Sequence, residues 1–205
     1  MITNFIIMEK GFTPEQSFEL INNVLDRRRV TYEEKGTNIL IWGIGIMIAG
    51  IAQFILLQTQ WRNLHGLTWF FTMIPLFIYS AYIGHLDRKK FIAKGGNKDV
   101  WDGSGITWLF VGVLGMLNGF VFRDLVHGAF TTFIFLPFCV AAMTTAISLK
   151  KKSFVYLVLL AVIVCYLALY IPMEYHSLVA AGIALLLFVI PGIILLQDNK
   201  QRQNV

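Results

Sequence analysis

Six long apolar runs decide what this chain can fold into. They are Ile39–Leu57, Leu67–Leu86, Ile106–Phe122, Gly128–Leu149, Phe154–Tyr170 and Leu178–Leu196, each 17 to 22 residues long and free of Asp, Glu, Lys and Arg. A helix rises about 1.5 Å per residue, so about 20 residues cross ~30 Å of hydrocarbon. Inside lipid every backbone N–H and C=O must be paired within the protein, which leaves helices or closed barrels. The runs lack the period-2 alternation of barrel strands, so they read as helices. The expected fold is all-α: a polytopic membrane bundle of six transmembrane helices over 37–197. A cytoplasmic N-terminal segment, 1–36, precedes it and a cytoplasmic tail, 198–205, follows.

Composition agrees. Of 205 residues, 57% are hydrophobic and 14% charged, against roughly 25% charged in soluble domains. That excludes a soluble enzyme, a disordered tail protein and a disulfide-stapled secreted module. Cys139 and Cys165 both fall inside apolar runs, without the spacing of a metal site or redox motif, and read as small core residues. The first apolar stretch, Phe5–Met8, is too short for a signal-peptide core, so the first span is expected to act as the insertion signal.

Charge sets the orientation. Of the 17 Lys and Arg residues, 15 fall on one side of the expected membrane and two, Arg62 and Arg123, on the other. Positive charge collects on the cytoplasmic face, so both termini are expected inside, in a bacterial inner membrane. The net charge of +5 then reflects topology and attraction to anionic headgroups on the cytoplasmic side, not nucleic-acid binding.

Ahead of the first span, Thr13-Pro14-Glu15-Gln16 has the form of a helix start, with a capping Thr and Pro at the first helical position. Phe18, Ile21 and Leu25 follow at helical spacing and end on Arg27-Arg28-Arg29, which predicts an amphipathic helix over about 13–30. Its apolar stripe suits docking on headgroups or on the bundle, or on a second copy or a protein partner. In the loop between spans 2 and 3, Gly95-Gly96 lies in a basic stretch without the spacing of a phosphate-binding loop, and reads as a linker.

Ionisable residues inside spans are functional candidates by default, and the interiors here carry none. The uncharged Gln53, Tyr79 and Asn118 are the intramembrane polar candidates, with interhelical hydrogen bonding as the alternative role. Gly115-x-x-x-Gly119 marks a close helix crossing beside Asn118, and Gly45-x-x-x-Ala49 is a weaker version in span 1. Pro75, Pro137 and Pro191 fall in spans 2, 4 and 6, where each can bend its helix. On the outer side, short loops carry Arg62, His65, Arg123, Asp124, His127, Glu174 and His176. Converged, they could form a ligand-recognition surface, a metal site or an acid–base pair; dispersed, they are ordinary interfacial capping. No established catalytic or metal-binding motif runs through them, so no catalytic residue, metal or cofactor is assigned.

Several stretches resemble a family of bacterial six-span inner-membrane proteins. One is Pro14-Glu15-Gln16-Ser17-Phe18, Leu20-Ile21, Lys35-Gly36 and Leu40-Ile41-Trp42-Gly43, similar to that family's amphipathic helix and first-span entry. Another is Val126-His127-Gly128-Ala129-Phe130-Thr131-Thr132-Phe133, and a third is Ile190-Pro191-Gly192-Ile193-Ile194-Leu195. The resemblance implies topology and carries no catalytic residues. Three functional readings stand at this level. The favoured one is a non-enzymatic regulatory, sensor or accessory membrane protein. A small transporter or channel, alone or as an oligomer, comes next, and a membrane enzyme using the outer His/acid cluster comes last.

Overall fold

The structure, a computed structural model, describes residues 36–93, 103–121 and 129–203. The expected amphipathic helix with Phe18, Ile21, Leu25 and Arg27–Arg29, the Gly95-Gly96 loop, and Arg123, Asp124 and His127 lie outside the described residues. Among those described there is no strand. The α-helices are α1 (Gly36–Leu57), α2 (Leu67–Ala93), α3 (Gly103–Val121), α4 (Phe130–Ser148), α5 (Lys152–Leu167), α6 (His176–Ala184) and α7 (Ile190–Gln203). A π turn, Leu185–Val189, joins α6 to α7, so the two form one continuous rod with the short 3-10 turn Met173–Tyr175 before it.

Five of these units are long and apolar enough to cross a membrane: Gly36–Leu57, Arg62–Lys89, Phe130–Ser148, Lys152–Tyr170 and Met173–Asp198. The protein is a multi-pass helical membrane bundle. The 19-residue α3 occupies the place of the third expected span.

Lipid is as apolar as leucine, so burial alone does not hold membrane helices together; close van der Waals contact and interhelical hydrogen bonds do. The closest contact joins the first and last rods. Gly36, Gly43 and Gly50 are seven residues apart and all buried. A Cβ at Gly36 would lie 2.9 Å from Leu195 Cβ, at Gly43 2.7 Å from Phe188 Cβ, and at Gly50 2.5 Å from the Ser177 carbonyl oxygen. Real Cβ atoms essentially never approach below 3.0 Å, so backbone meets side chain and backbone with no room between. The opposing rod reciprocates at Gly192, where a Cβ would lie 2.9 Å from Leu40 N and Cβ. The order of the contacts makes the rods antiparallel. A seven-residue repeat is the period of a left-handed helix pair, so the three glycines stay on one seam along most of α1.

The π turn has a local cause. Pro191 has no N–H, and its ring crowds the carbonyl four residues back, on Leu187. The preceding turn widens, and the Ile190 N–H bonds instead to the Leu185 carbonyl, five residues back. Leu187, Phe188 and Val189 in this wide turn are all buried. Pro191 therefore lies just beyond a widened turn that absorbs its missing hydrogen bond.

The core proper lies between α1, α4, α5 and the α6–α7 rod. Phe135, Cys139, Ala142, Val158, Ala161, Cys165, Ile183 and Leu187 share one buried cluster. Helix α3 reaches it through Trp108, whose ring stands 5.5 Å from Phe188 and 6.3 Å from Phe138. Helix α2 leans on α1 alone among its larger contacts. Its Leu76 fills the notch at Gly45, where an added Cβ would come 2.6 Å from Leu76 Cδ1. The opposite face of α2, with Phe70, Phe71, Ile74 and Ile78, is exposed.

Candidate functional site

Several polar residues of the apolar helices, Gln53, Asn118 and Thr132 among them, tie helices together. Gln53 on α1 accepts a 2.7 Å hydrogen bond from the indole N–H of Trp69 on α2. Toward the other end of the same pair, the Trp42 indole donates to Ser80 Oγ at 2.5 Å, and Ser80 Oγ donates to Asn38 Oδ1 at 3.3 Å. Asn118 Nδ2 on α3 donates to the Phe133 carbonyl on α4 at 3.2 Å. Thr132 on α4 donates to the Cys165 carbonyl on α5 at 2.6 Å. Tyr79 is half-buried on α2. At Gly115 an added Cβ would meet the Phe138 ring edge at 2.8 Å, so this glycine lies at the α3–α4 contact. Gly112 has open space around it. Gly119 belongs to α3, and its surroundings lie outside the described contacts.

At the end of the bundle that carries Arg62, His65, Glu174 and His176, the residues separate by environment. His176 is buried at 5% exposure, at the first position of α6. Its Nε2 faces the Ile171 carbonyl at 3.1 Å, and a carbonyl only accepts, so Nε2 carries the proton. In the neutral ring Nδ1 then accepts from the Thr131 hydroxyl at 3.0 Å, tying α6 to α4. Beside it, Ser177 Oγ is buried with no hydrogen-bond partner among the described residues, where α1 approaches at Gly50. Arg62, His65 and Glu174 stand toward solvent or headgroups, with His65 only part-exposed. His65 Nδ1 meets the Arg62 carbonyl at 2.6 Å, a contact within one short turn. Among the described residues, no side-chain hydrogen bond or ion pair joins Glu174 to Arg62 or His65, and no three His, Cys, Asp or Glu residues converge as metal ligands would.

The opposite end of the bundle holds a site whose arrangement the sequence did not disclose. Helix α4 ends in a turn built on Lys150, whose φ of 53° is the left-handed conformation usually left to glycine. The Lys150 N–H bonds to the Ile147 carbonyl at 3.0 Å and the Lys151 N–H to the Ala146 carbonyl at 3.3 Å, the paired bonds of a Schellman ending. Lys151 then forms an ion pair with Asp198 on α7, with only 14% of its side chain exposed. Its ammonium also lies 5.7 Å from the centre of the Phe154 ring. Lys150 and Lys152, on either side, are exposed. Next to Phe154, an apolar recess of about 20 Å³ is lined by Ile39, Trp108, Leu187 and Leu195 among others. That is room for about one water, and apolar walls keep such spaces dry.

These residues would hold the α4–α5 hairpin against the last helix and present two free-standing lysine side chains around a fixed pair. In the sequence Lys150, Lys151 and Lys152 stand among the fifteen basic residues that set the expected orientation. Asp198 lies 47 residues from Lys151, and nothing in the local sequence links them. Compared with known proteins, the chain matches no family model, no curated protein and no solved structure.

Proposed function

We propose that this protein is a non-catalytic regulatory, sensor or accessory protein of the bacterial inner membrane. In this reading it has six spans, with α3 as the third and both termini cytoplasmic. The bundle acts as a fixed scaffold, and the N-terminal segment with Phe18, Ile21 and Leu25 is the part that meets a membrane surface, a second copy or a partner. One observation carries the reading: Gln53, Asn118, Thr131 and Thr132 each commit a polar atom to a bond to another helix. A transport path would need such groups for its cargo. Here releasing them costs a helix–helix tie.

Cysteine accessibility tests this. In a Cys139→Ala, Cys165→Ala background, Gln53→Cys and Asn118→Cys are expected to resist a membrane-impermeant thiol reagent applied from either side. Labelling of Asn118→Cys from both sides would show a water-filled path and favour a small transporter or channel instead.

A further inference from the structure

The lysine-rich turn combines three observations. First, it joins the ends of two membrane-spanning helices, α4 and α5, so it stands at the level where lipid phosphates are concentrated. Second, Lys151 and Asp198 pair with each other, and the Lys151 ammonium also lies over Phe154. The only carboxylate described at this turn is thereby neutralised, and the backbone is fixed to α7. Third, Lys150 holds a left-handed φ of 53° that glycine would adopt at no steric cost. A strained residue that persists points to a use for its side chain, and all that Lys150 presents outward is an exposed ammonium.

We propose that this turn is a headgroup site for an anionic phospholipid, with Lys150 and Lys152 gripping the phosphate from the two sides of the Lys151–Asp198 pair. The N-terminus of α5 points its dipole at the same place, and Lys151 at its cap position supplies no side-chain cap. The acyl chains would lie along the exposed faces of α4 and α5, past Ile147 and Tyr156. This differs from the diffuse attraction that any basic face exerts, because it assigns the preference to two residues of the chain's exposed cations. It rests on the turn lying at the membrane surface, as the six-span reading has it, and it is independent of what the N-terminal segment binds.

Native mass spectrometry of the full chain with mixed phosphatidylglycerol and phosphatidylcholine tests it. The wild-type protein is expected to retain phosphatidylglycerol first. Each of Lys150→Gln and Lys152→Gln is expected to lower that preference about fivefold. Arg88→Gln with Lys89→Gln, which removes equal charge from exposed positions on α2, is expected to lower it less than the Lys150→Gln, Lys152→Gln pair does. Lys150→Gly is the most telling variant: it relieves the backbone and should raise the melting temperature while still losing about fivefold in preference. Equal losses from the α2 pair and the turn pair would overturn the site and leave only diffuse attraction. Displacement of the lipid by excess inorganic phosphate would overturn the lipid as its occupant. Retention of neither lipid would instead contradict the placement of the turn at the membrane surface.

Discussion

Helix α1 has two neighbours that it holds in opposite ways. Against the α6–α7 rod it presents Gly36, Gly43 and Gly50, and the contact runs backbone to backbone over most of its length. Against α2 it presents one notch, Gly45 filled by Leu76, with hydrogen bonds at either end from Trp69 to Gln53 and from Trp42 to Ser80. The first contact is long, apolar and unforgiving. The second is short, and its polar ties are each worth about 0.6 kcal/mol in a membrane. Where the solvent supplies no hydrophobic force, the length of close contact decides which pair is the spine. Half of the last rod's apolar window is buried, against 6% for the α2 unit. The α1/α6–α7 pair is therefore the fixed axis, and α2 is an outrigger.

The largest effect is expected from Gly43→Leu. Its Cβ would already stand 2.7 Å from Phe188 Cβ and Val189 Cγ2 and 2.9 Å from the Val189 backbone nitrogen. Backbone cannot rotate away as a ring can, so the cost should reach or exceed the upper end of the usual overpacking range, about 3 kcal/mol. Thermal unfolding in lipid nanodiscs should show it. Gly84→Leu is the matched control, because Gly84 has open space and should tolerate the change within about 0.5 kcal/mol. Gly115→Leu should fall between them, since its nearest obstacle is the edge of the Phe138 ring.

Leu76→Ala comes next. It empties the Gly45 notch, and a cost near 2 kcal/mol is expected, at the lower edge for core leucines because lipid can follow into the gap. The sharper readout is selective: limited proteolysis of the α2 ends should accelerate while the rest of the bundle stays protected. The smallest effect is expected from Trp69→Phe, which removes the bond to Gln53 and should cost about 0.6 kcal/mol by the same unfolding assay. A Trp69→Phe cost as large as that of Leu76→Ala would mean that the polar tie, not the notch, holds α2.

Much of this was written in the local sequence. The apolar runs placed the helices, because length and lack of charge are one-dimensional properties. Close packing in span 1 was legible too, at Gly45, but the main seam was not. Gly45-x-x-x-Ala49 drew attention through its four-residue spacing, the mark of a tight right-handed crossing. Gly45 faces α2, while the main seam uses the seven-residue spacing of Gly36, Gly43 and Gly50. Those glycines were visible all along, and their period was the missed signal. His176 was read as an outer-loop residue. The 3-10 turn at Met173–Tyr175 feeds directly into α6 and carries its ring inward to Thr131, a partner 45 residues away. Pro191 signalled an irregularity correctly, but only the backbone shows that a π turn takes it up. Pairings such as Lys151 with Asp198 depend on which helices meet, and that is a property of the assembled bundle.

The seam between the first and last rods is the central claim, and a register-specific cross-link tests it most directly. In the Cys139→Ala, Cys165→Ala background, Gly36→Cys and Leu195→Cys stand opposite each other. The Cβ separation of 2.9 Å at this position needs to open only slightly to reach the ~3.5–4.5 Å of a disulfide. Mild oxidation in membranes should join this pair rapidly and within one chain, while Gly36→Cys with Phe188→Cys, about two turns out of register, should remain unjoined. Cross-linking of the second pair in preference to the first, or of neither, would contradict the antiparallel glycine seam.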